Sequence, residues 1–188
     1  MSVDDLFKGT SSTPSQNYHF IRWQTPNIGT IKLNFDGSLQ NNSAAEGFIL
    51  RDWRGATLLT GSANYGSTSI LVAEGRALRD GLQAAVDAGY KQLYIEGDNL
   101  ILIEALRGES TIPWRIKYII HDIRMMLNQL DQVQVNHIYR EVNMAADWLV
   151  KYGHSITGKI VAVDLGNIAF RRVISDDMLS RALVKRYA

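Results

Sequence analysis

The sequence predicts an α/β domain: a five-stranded mixed sheet, in the order 3-2-1-4-5 when strands are numbered along the chain, with helices on both faces. Three observations predict it. Three strand-like runs come first in close succession, which favours an antiparallel meander. Two later strand-like runs are each reached through helical segments, which favours parallel additions. A right-handed crossover through the first helix then puts the fourth strand beside the first.

Residues 1–27 are polar, with Ser11, Ser12, Thr13, Pro14 and Ser15 clustered, and read as a linker. Ile31–Phe35 alternates as a strand and ends at Asp36-Gly37-Ser38. Gly47–Arg51 turns at Asp52-Trp53-Arg54-Gly55 into Ala56–Ala63, forming a hairpin. In Thr68–Gly89 the residues Ile70, Leu71, Ala77, Leu78, Leu82 and Ala85 recur at helical spacing. Gln92–Glu96 is a short strand running into Asp98, and Asn99–Arg107 is a helix closed by Gly108. Pro113 opens a longer helix, about Trp114–Leu130, with Ile116, Ile119, Ile120, Ile123 and Leu127 on one face. Val133–Tyr139 is the fifth strand, and Asn143–Tyr152 a helix ended by Gly153. The domain is expected over residues 28–155, followed by a basic extension over 156–188. No internal repeat is visible.

With 188 residues, 46% hydrophobic and 21% charged, the chain has the composition of a soluble globular domain with a real core. The absence of cysteine excludes disulfides, zinc–cysteine sites and thiol catalysis. No run approaches the roughly 18 apolar residues of a membrane span, and no secretory apolar region opens the chain. An intracellular protein, nuclear or cytoplasmic and free of membrane, is expected. Net charge is +1, but Arg171, Arg172, Arg181, Lys185 and Arg186 concentrate positive charge near the end. That surplus reads equally as a grip for a phosphate backbone or as a solvated face.

Glu74 falls in the middle of the apolar stripe of its helix, where a charge is costly unless something pairs with it. Helical geometry puts neither Arg76 nor Arg79 on that face. Asp36 and Asp98 lie at the carboxyl ends of two strands expected to be parallel neighbours, at a topological switch where α/β sheets bind ligands. Asp147 sits on the last helix beside Asn143, Val150, Lys151 and His154. Each has a bland alternative: an Asp-Gly turn for Asp36, a helix cap for Asp98, solvation for Asp147. Together they suit two divalent cations roughly 3.5–4 Å apart performing phosphoryl chemistry. Carboxylate ligands point to magnesium. Asp36, on the polar face shared with Lys32 and Asn34, is best placed to bridge.

Five segments, IKLNFDGS at 31–38, LRDWRG at 50–55, AEGRALRDGLQAA at 73–85, YIEGDN at 94–99 and HIYREVNMAADWLVKYG at 137–153, resemble the type 1 ribonuclease H family. The resemblance is narrower still to plant ribonuclease H-like domains related to retrotransposon reverse transcriptases. It spans about Trp23 to Gly153 and implies a ribonuclease H-like fold. It also implies a metal-dependent endonuclease that cleaves the RNA strand of an RNA–DNA hybrid, leaving 3′-hydroxyl and 5′-phosphate ends. The implied cofactor is two Mg²⁺ ions, with Mn²⁺ as a substitute. By motif position Asp36 would bridge the metals, Glu74 and Asp98 would serve the metal on the leaving-group side, and Asp147 the one activating water. Gly37, Ser38, Asn99, Arg140 and Asn143 are the candidate substrate contacts; Arg140, near the strand's end, suits a phosphate. The expected partner is the hybrid itself, and a monomer is expected.

The chain departs from bacterial-type members in two places. Only Tyr139–Val142 lie between the last strand and last helix, too short for a histidine-bearing loop. His137 has a similar spacing to Asp147 but alternates with Val133 and Val135, which favours a packed histidine over a catalytic one. The lysine-rich protrusion is reduced to Gly108–Pro113, and Arg115, Lys117 and Arg124 or the basic extension are its candidate replacements. Trp53 and Trp114 are expected in the core, with base or sugar stacking as the alternative. A nucleic-acid- or protein-binding module without activity, and an exonuclease or junction resolvase on the same fold, are the rival readings.

Overall fold

The computed structural model describes residues 18–179 and 183–186. The Ser11–Ser15 cluster and Arg181 lie outside them. A six-stranded sheet organises the domain: β1 Ile31–Gln40, β2 Ser43–Arg51, β3 Thr57–Gly66, β4 Gln92–Gly97, β5 Gln132–His137 and β6 Lys159–Ala162. Their order is β5-β4-β1-β2-β3-β6. The first three are antiparallel neighbours; β4 adds to β1 in parallel and β5 to β4 in parallel. The expected five-strand order is present, and β6, antiparallel to β3, extends it at one edge. β6 comes from the segment expected to be an extension; four residues on an edge carry too little alternation to declare themselves. A separate two-stranded pair joins Tyr18–Ile21 to Leu183–Arg186.

β1 does not stop at Phe35. It runs to Gln40 and returns into β2 through Asn41 and Asn42, both at positive φ, 49° and 60°. Asparagine tolerates that region, and a two-residue turn of this hand matches strand twist. The Asp-Gly turn signal at 36–37 loses to ladder pairing, so Asp36 sits inside the central strand opposite Gly47.

Helix α1, Ile70–Asp87, is capped by Ser69, whose side chain accepts from the Val72 amide. Its Ala77, Leu78, Leu82 and Ala85 pack with Leu33, Phe35 and Phe48. Helix α2, Leu100–Arg107, starts at the Asn99 cap and ends at Gly108, φ 77°. After Pro113 a 3₁₀ turn over Trp114–Ile116 leads into α3, Lys117–Leu127, which buries Ile120, Ile123 and Met126 in the same core. The second core lies under α4, Met144–Gly153, and α5, Ile168–Met178. It joins Ile49, Ala145, Leu149 and Phe170, with the Phe170 ring 4.9 Å from that of Trp148. Helices therefore cover both faces, as expected. Trp114, however, is 79% exposed and Trp53 39%, so neither belongs to the core. Among the described residues no helix is long and apolar enough to cross a membrane.

A buried ionic cluster ties β2, β3, α1 and β6 together. The Tyr65 hydroxyl lies 2.7 Å from Glu46 Oε1 and 2.9 Å from Asp80 Oδ2. Asp80 is also held by Arg79 and by Lys159 of β6, the latter at 2.6 Å. One hydroxyl carries one hydrogen, so two ionised carboxylates cannot both be satisfied by it. Glu46, fully buried, is the group that keeps a proton; burial first and Asp80 second push its carboxyl up to about 8. The sign follows from linkage. Stability from neutral Glu46 is fully present below its ordinary value of 4.5 and is lost as pH rises toward about 8. The change is on the order of 5 kcal/mol. Glu46→Gln, uncharged at every pH, is expected to flatten the fall in thermal midpoint between pH 5 and pH 8; identical slopes for the two proteins would contradict the assignment.

Candidate active site

The carboxyl end of β4 opens beside the middle of β1 and the first turns of α1 and α4, and this junction gathers the acidic residues. Asp36 projects from the central strand, Glu74 from α1, and Asp98 from just beyond β4. Each offers an oxygen, and the three oxygens lie within 4.8 Å of one another. Asp36 and Glu74 are each 5% exposed. Glu74 Oε2 and Asp98 Oδ1 are buried without a hydrogen-bond partner among the described residues. Such groups are expensive unless protonated or bound to a cation. Burial, then Asp98 and Asp147, raises the Asp36 carboxyl from 3.8 to about 7. Burial, then Asp36 and Asp98, holds Glu74 well above the usual carboxylate range. Burial raises Asp98 as well. Three carboxyls converging on one small volume, two with orphan oxygens, fit a hard divalent cation with oxygen ligands.

Close helix–strand contact creates this convergence. A Cβ at Gly37 would collide with the Glu74 backbone nitrogen and stand 2.6 Å from the Ala73 carbonyl carbon. Glycine therefore lets the first turn of α1 lie directly on β1, and the Gly37 amide donates to Asp36 Oδ1 at 2.8 Å. Gly37→Ala is expected to push Glu74 outward and cost roughly 100-fold in any activity that needs the trio, the scale of a 1 Å misplacement. Its thermal midpoint should fall too. Unchanged activity would show that the contact is dispensable.

Asp147 does not join the trio. It is 7% exposed, in the first turn of α4, and its two oxygens accept from Arg140 at 3.3 Å and from Lys151 at 2.5 Å. Both basic side chains are 70% exposed. Such pairs are worth roughly 0–1 kcal/mol each and exchange readily for another ligand. The charge of Asp147 is close enough to raise Asp36, so Asp147 borders the site while paired with two exposed cations. Of the four expected ligands, Asp36, Glu74 and Asp98 converge and Asp147 is held beside them.

The five candidate substrate contacts divide. Arg140 is exposed at the mouth. Ser38 is half-buried and shares a 2.8 Å hydrogen bond with His154 Nε2. Asn99 caps α2 through its carbonyl oxygen at 3.2 Å and also hydrogen-bonds Glu74. Gly37 and Asn143 also make structural contacts: Gly37 is the contact with α1, and Asn143, 2% exposed, donates to the Phe35 carbonyl at 2.9 Å and fixes the start of α4 on β1. His137 is not packed as its alternation suggests. It is exposed at the end of β5, with Nε2 3.1 Å from the Asp98 carbonyl oxygen.

Sequence reasoning missed the ladder behind the site. Lys32 bonds Glu96 at 2.8 Å, Asn34 bonds Glu96 at 3.1 Å, and Arg51 bonds Asn34 at 3.0 Å and Asp177 of α5 at 2.6 Å. The Arg51 guanidinium lies 3.5 Å from the centre of the Trp23 ring, and the Trp23 indole donates to Asn34. Lys32, Asn34 and Asp36 do alternate onto one polar face, but the pairs that make the ladder lie 11 to 126 residues apart along the chain, from Trp23–Asn34 to Arg51–Asp177.

Residues 34–153 match the family described as reverse transcriptase-like. A protein of Arabidopsis thaliana whose name proposes a ribonuclease H is 27% identical over 168 residues, 88% of this chain. The chain spans only 27% of that protein's length. The crystal structure of RNase H1 from the archaeon Halobacterium salinarum superposes with a TM-score of 0.64 at 26% identity, covering 67% of this chain and 98% of that one. LC11-RNase H1, solved in complex with an RNA/DNA hybrid, gives 0.61 at 25% identity, covering 65% and 94%.

Proposed function

Because this chain belongs to the reverse transcriptase-like family and has the ribonuclease H fold, we propose that it is an endonuclease hydrolysing the RNA strand of RNA–DNA hybrids. The products would carry 3′-hydroxyl and 5′-phosphate ends. One observation carries the reading: Asp36, Glu74 and Asp98 converge within 4.8 Å, with orphan buried oxygens on two of them. Structural relatives named as RNase H1, one holding a hybrid, support the substrate class.

Asp36, Glu74 and Asp98, with Asp147 beside them, would hold two Mg²⁺ ions, or Mn²⁺ in their place. Bound there, such ions lower the pKa of water and offset the charge that develops on a phosphoryl group in transfer. The chain's own residues do the rest. Rigid β1 fixes Asp36, Asn99 orients Glu74, and Asn143 fixes the helix that carries Asp147. Arg140 is free to swing from Asp147 to a substrate phosphate, releasing that carboxylate as it pairs.

Grip on the hybrid falls to α3 in this reading. Trp114 and Tyr118, 79% and 81% exposed and one helical turn apart, stand with Arg115 and Lys117 where the protrusion is reduced to Gly108–Pro113. Exposed rings beside cations suit a sugar–phosphate strand, and binding should weaken steeply with salt. The decisive test is cleavage of an end-labelled hybrid with Mg²⁺ or Mn²⁺, beside Asp98→Asn. Cleavage lost in the variant supports the enzyme. Equal cleavage by both proteins sinks it, and salt-sensitive binding without cleavage favours a binding module, the reading that the ion-paired Asp147 would accommodate.

A further inference from the structure

Helix α4 places polar groups along β1 at both of its ends. Asp147 in its first turn borders Asp36, and His154 just beyond its last turn meets Ser38. Ser38 follows Asp36 by two residues in the same strand, so both side chains project from one face about 7 Å apart. A phosphate held at Asp36 would leave a hydroxyl so placed facing a flanking nucleotide. The contact between Ser38 Oγ and His154 Nε2 is short, 2.8 Å, and both residues are only half-buried, so it lies within reach of a bound strand.

We propose that His154 is a positioning residue that fixes the Ser38 hydroxyl to recognise the ribose next to the cleaved phosphate, and so helps select an RNA strand over a DNA strand. The inference deepens the hybrid-ribonuclease reading and rests on it. Its chemistry is a hydrogen-bond relay. Burial lowers the His154 pKa, which favours the neutral ring with a lone pair at one nitrogen. When Nε2 accepts the Ser38 hydrogen, the serine oxygen turns its lone pairs outward as an acceptor. A ribose 2′-hydroxyl can donate to that oxygen; a deoxyribose has nothing to offer. Without His154 the serine hydroxyl rotates freely and loses this preset direction. This relay is not a replacement for the histidine loop, because His154 lies at the opposite end of α4 from the short Tyr139–Val142 connection.

The test uses hybrids whose RNA strand carries one deoxyribose at each position flanking the cleavage site, compared with the all-ribose strand. Wild type should prefer ribose at one flanking position by about 10-fold in kcat/KM, the scale of one neutral hydrogen bond. Ser38→Ala and His154→Ala should each reduce that ratio to near unity, and the double variant should do no more than either alone. His154→Gln, whose amide oxygen can stand near the place of Nε2, should restore part of the ratio; a merely structural role would not produce that pattern. Thermal midpoints of all variants separate misfolding from lost selectivity. A wild-type ratio in His154→Ala, or losses in the two single variants that simply add, overturns the relay. If wild type itself cuts no hybrid, the functional reading fails and takes this inference with it; if wild type cuts but shows no flanking-ribose preference, the relay alone fails.

Discussion

Asp36→Asn is expected to abolish hybrid cleavage, by at least ~1,000-fold in kcat or about 4 kcal/mol of barrier, and yet to raise the thermal midpoint of the metal-free protein. The two effects share one cause. Asp36 stands at the centre of three converging carboxyls and accepts the raised pKa of about 7 that burial, Asp98 and Asp147 impose. At pH 8 it is ionised in a place that resists charge, and an uncharged amide of the same shape relieves that repulsion. Linkage gives the pH dependence. Metal-free stability from protonated Asp36 is fully present below its ordinary 3.8 and is lost as pH rises through about 7. Divalent cations compete with those protons, so their apparent affinity should increase over the same window. Millimolar Mg²⁺ should then raise the wild-type midpoint at pH 8 by an amount set by concentration over Kd, and leave Asp36→Asn nearly unmoved. Differential scanning at pH 6 and pH 8, with and without Mg²⁺, reads all of this. A variant less stable than wild type without metal, and equally stabilised by it, would contradict the site.

The second large effect lies away from the carboxylates. Asp177→Ala should destabilise the fold by about 3–5 kcal/mol, because it strands the guanidinium of Arg51 in the interior. Arg51 is 1% exposed, and its charge is met by Asp177 at 2.6 Å, with the Asn34 amide oxygen and the Trp23 ring as neutral partners. Burial pushes Arg51 down and Asp177 up, so neither ion is comfortable even when paired. The pair is therefore a poor source of net stability but costly to break, and replacing both ions with apolar groups should be close to neutral. Arg51→Met with Asp177→Leu is expected to recover most of the loss. For a domain of this size the single variant should melt roughly 10 °C lower. Hybrid cleavage should weaken as well, since α5 packs on the helix that carries Asp147, and Arg51 bonds the residue two before Asp36. A loss below 1 kcal/mol would mean that α5 does not hold Arg51 in solution.

Much of the architecture was legible in the residues, and the reasons are local. Leu78, Leu82 and Ala85 declare α1 because helical period is written into neighbouring positions. Gly108 marks the end of α2 because a left-handed cap demands it. Glu74 announced a site because a carboxylate in an apolar stripe has no local explanation, and handedness of the crossover brought the strands that carry Asp36 and lead to Asp98 side by side. The misreadings have equally specific causes. At Asp36-Gly37 a turn signal was outweighed by strand pairing with Gly47. Trp114 is expected in the core, yet it lies in the 3₁₀ turn after Pro113 and is exposed to solvent.

The sequence by itself determined the order and type of the main elements, the five-strand arrangement and the acidic residues worth suspecting, since periodicity, capping and crossover hand act over short stretches of chain. Only the tertiary structure decided which charges meet. It set Asp147 against Arg140 and Lys151, gave Lys159 to Asp80 and Asp177 to Arg51, and drew Ser38 to His154 across 116 residues. Electrostatic partners are chosen by distance and burial in three dimensions, and neither quantity is carried by spacing along the chain.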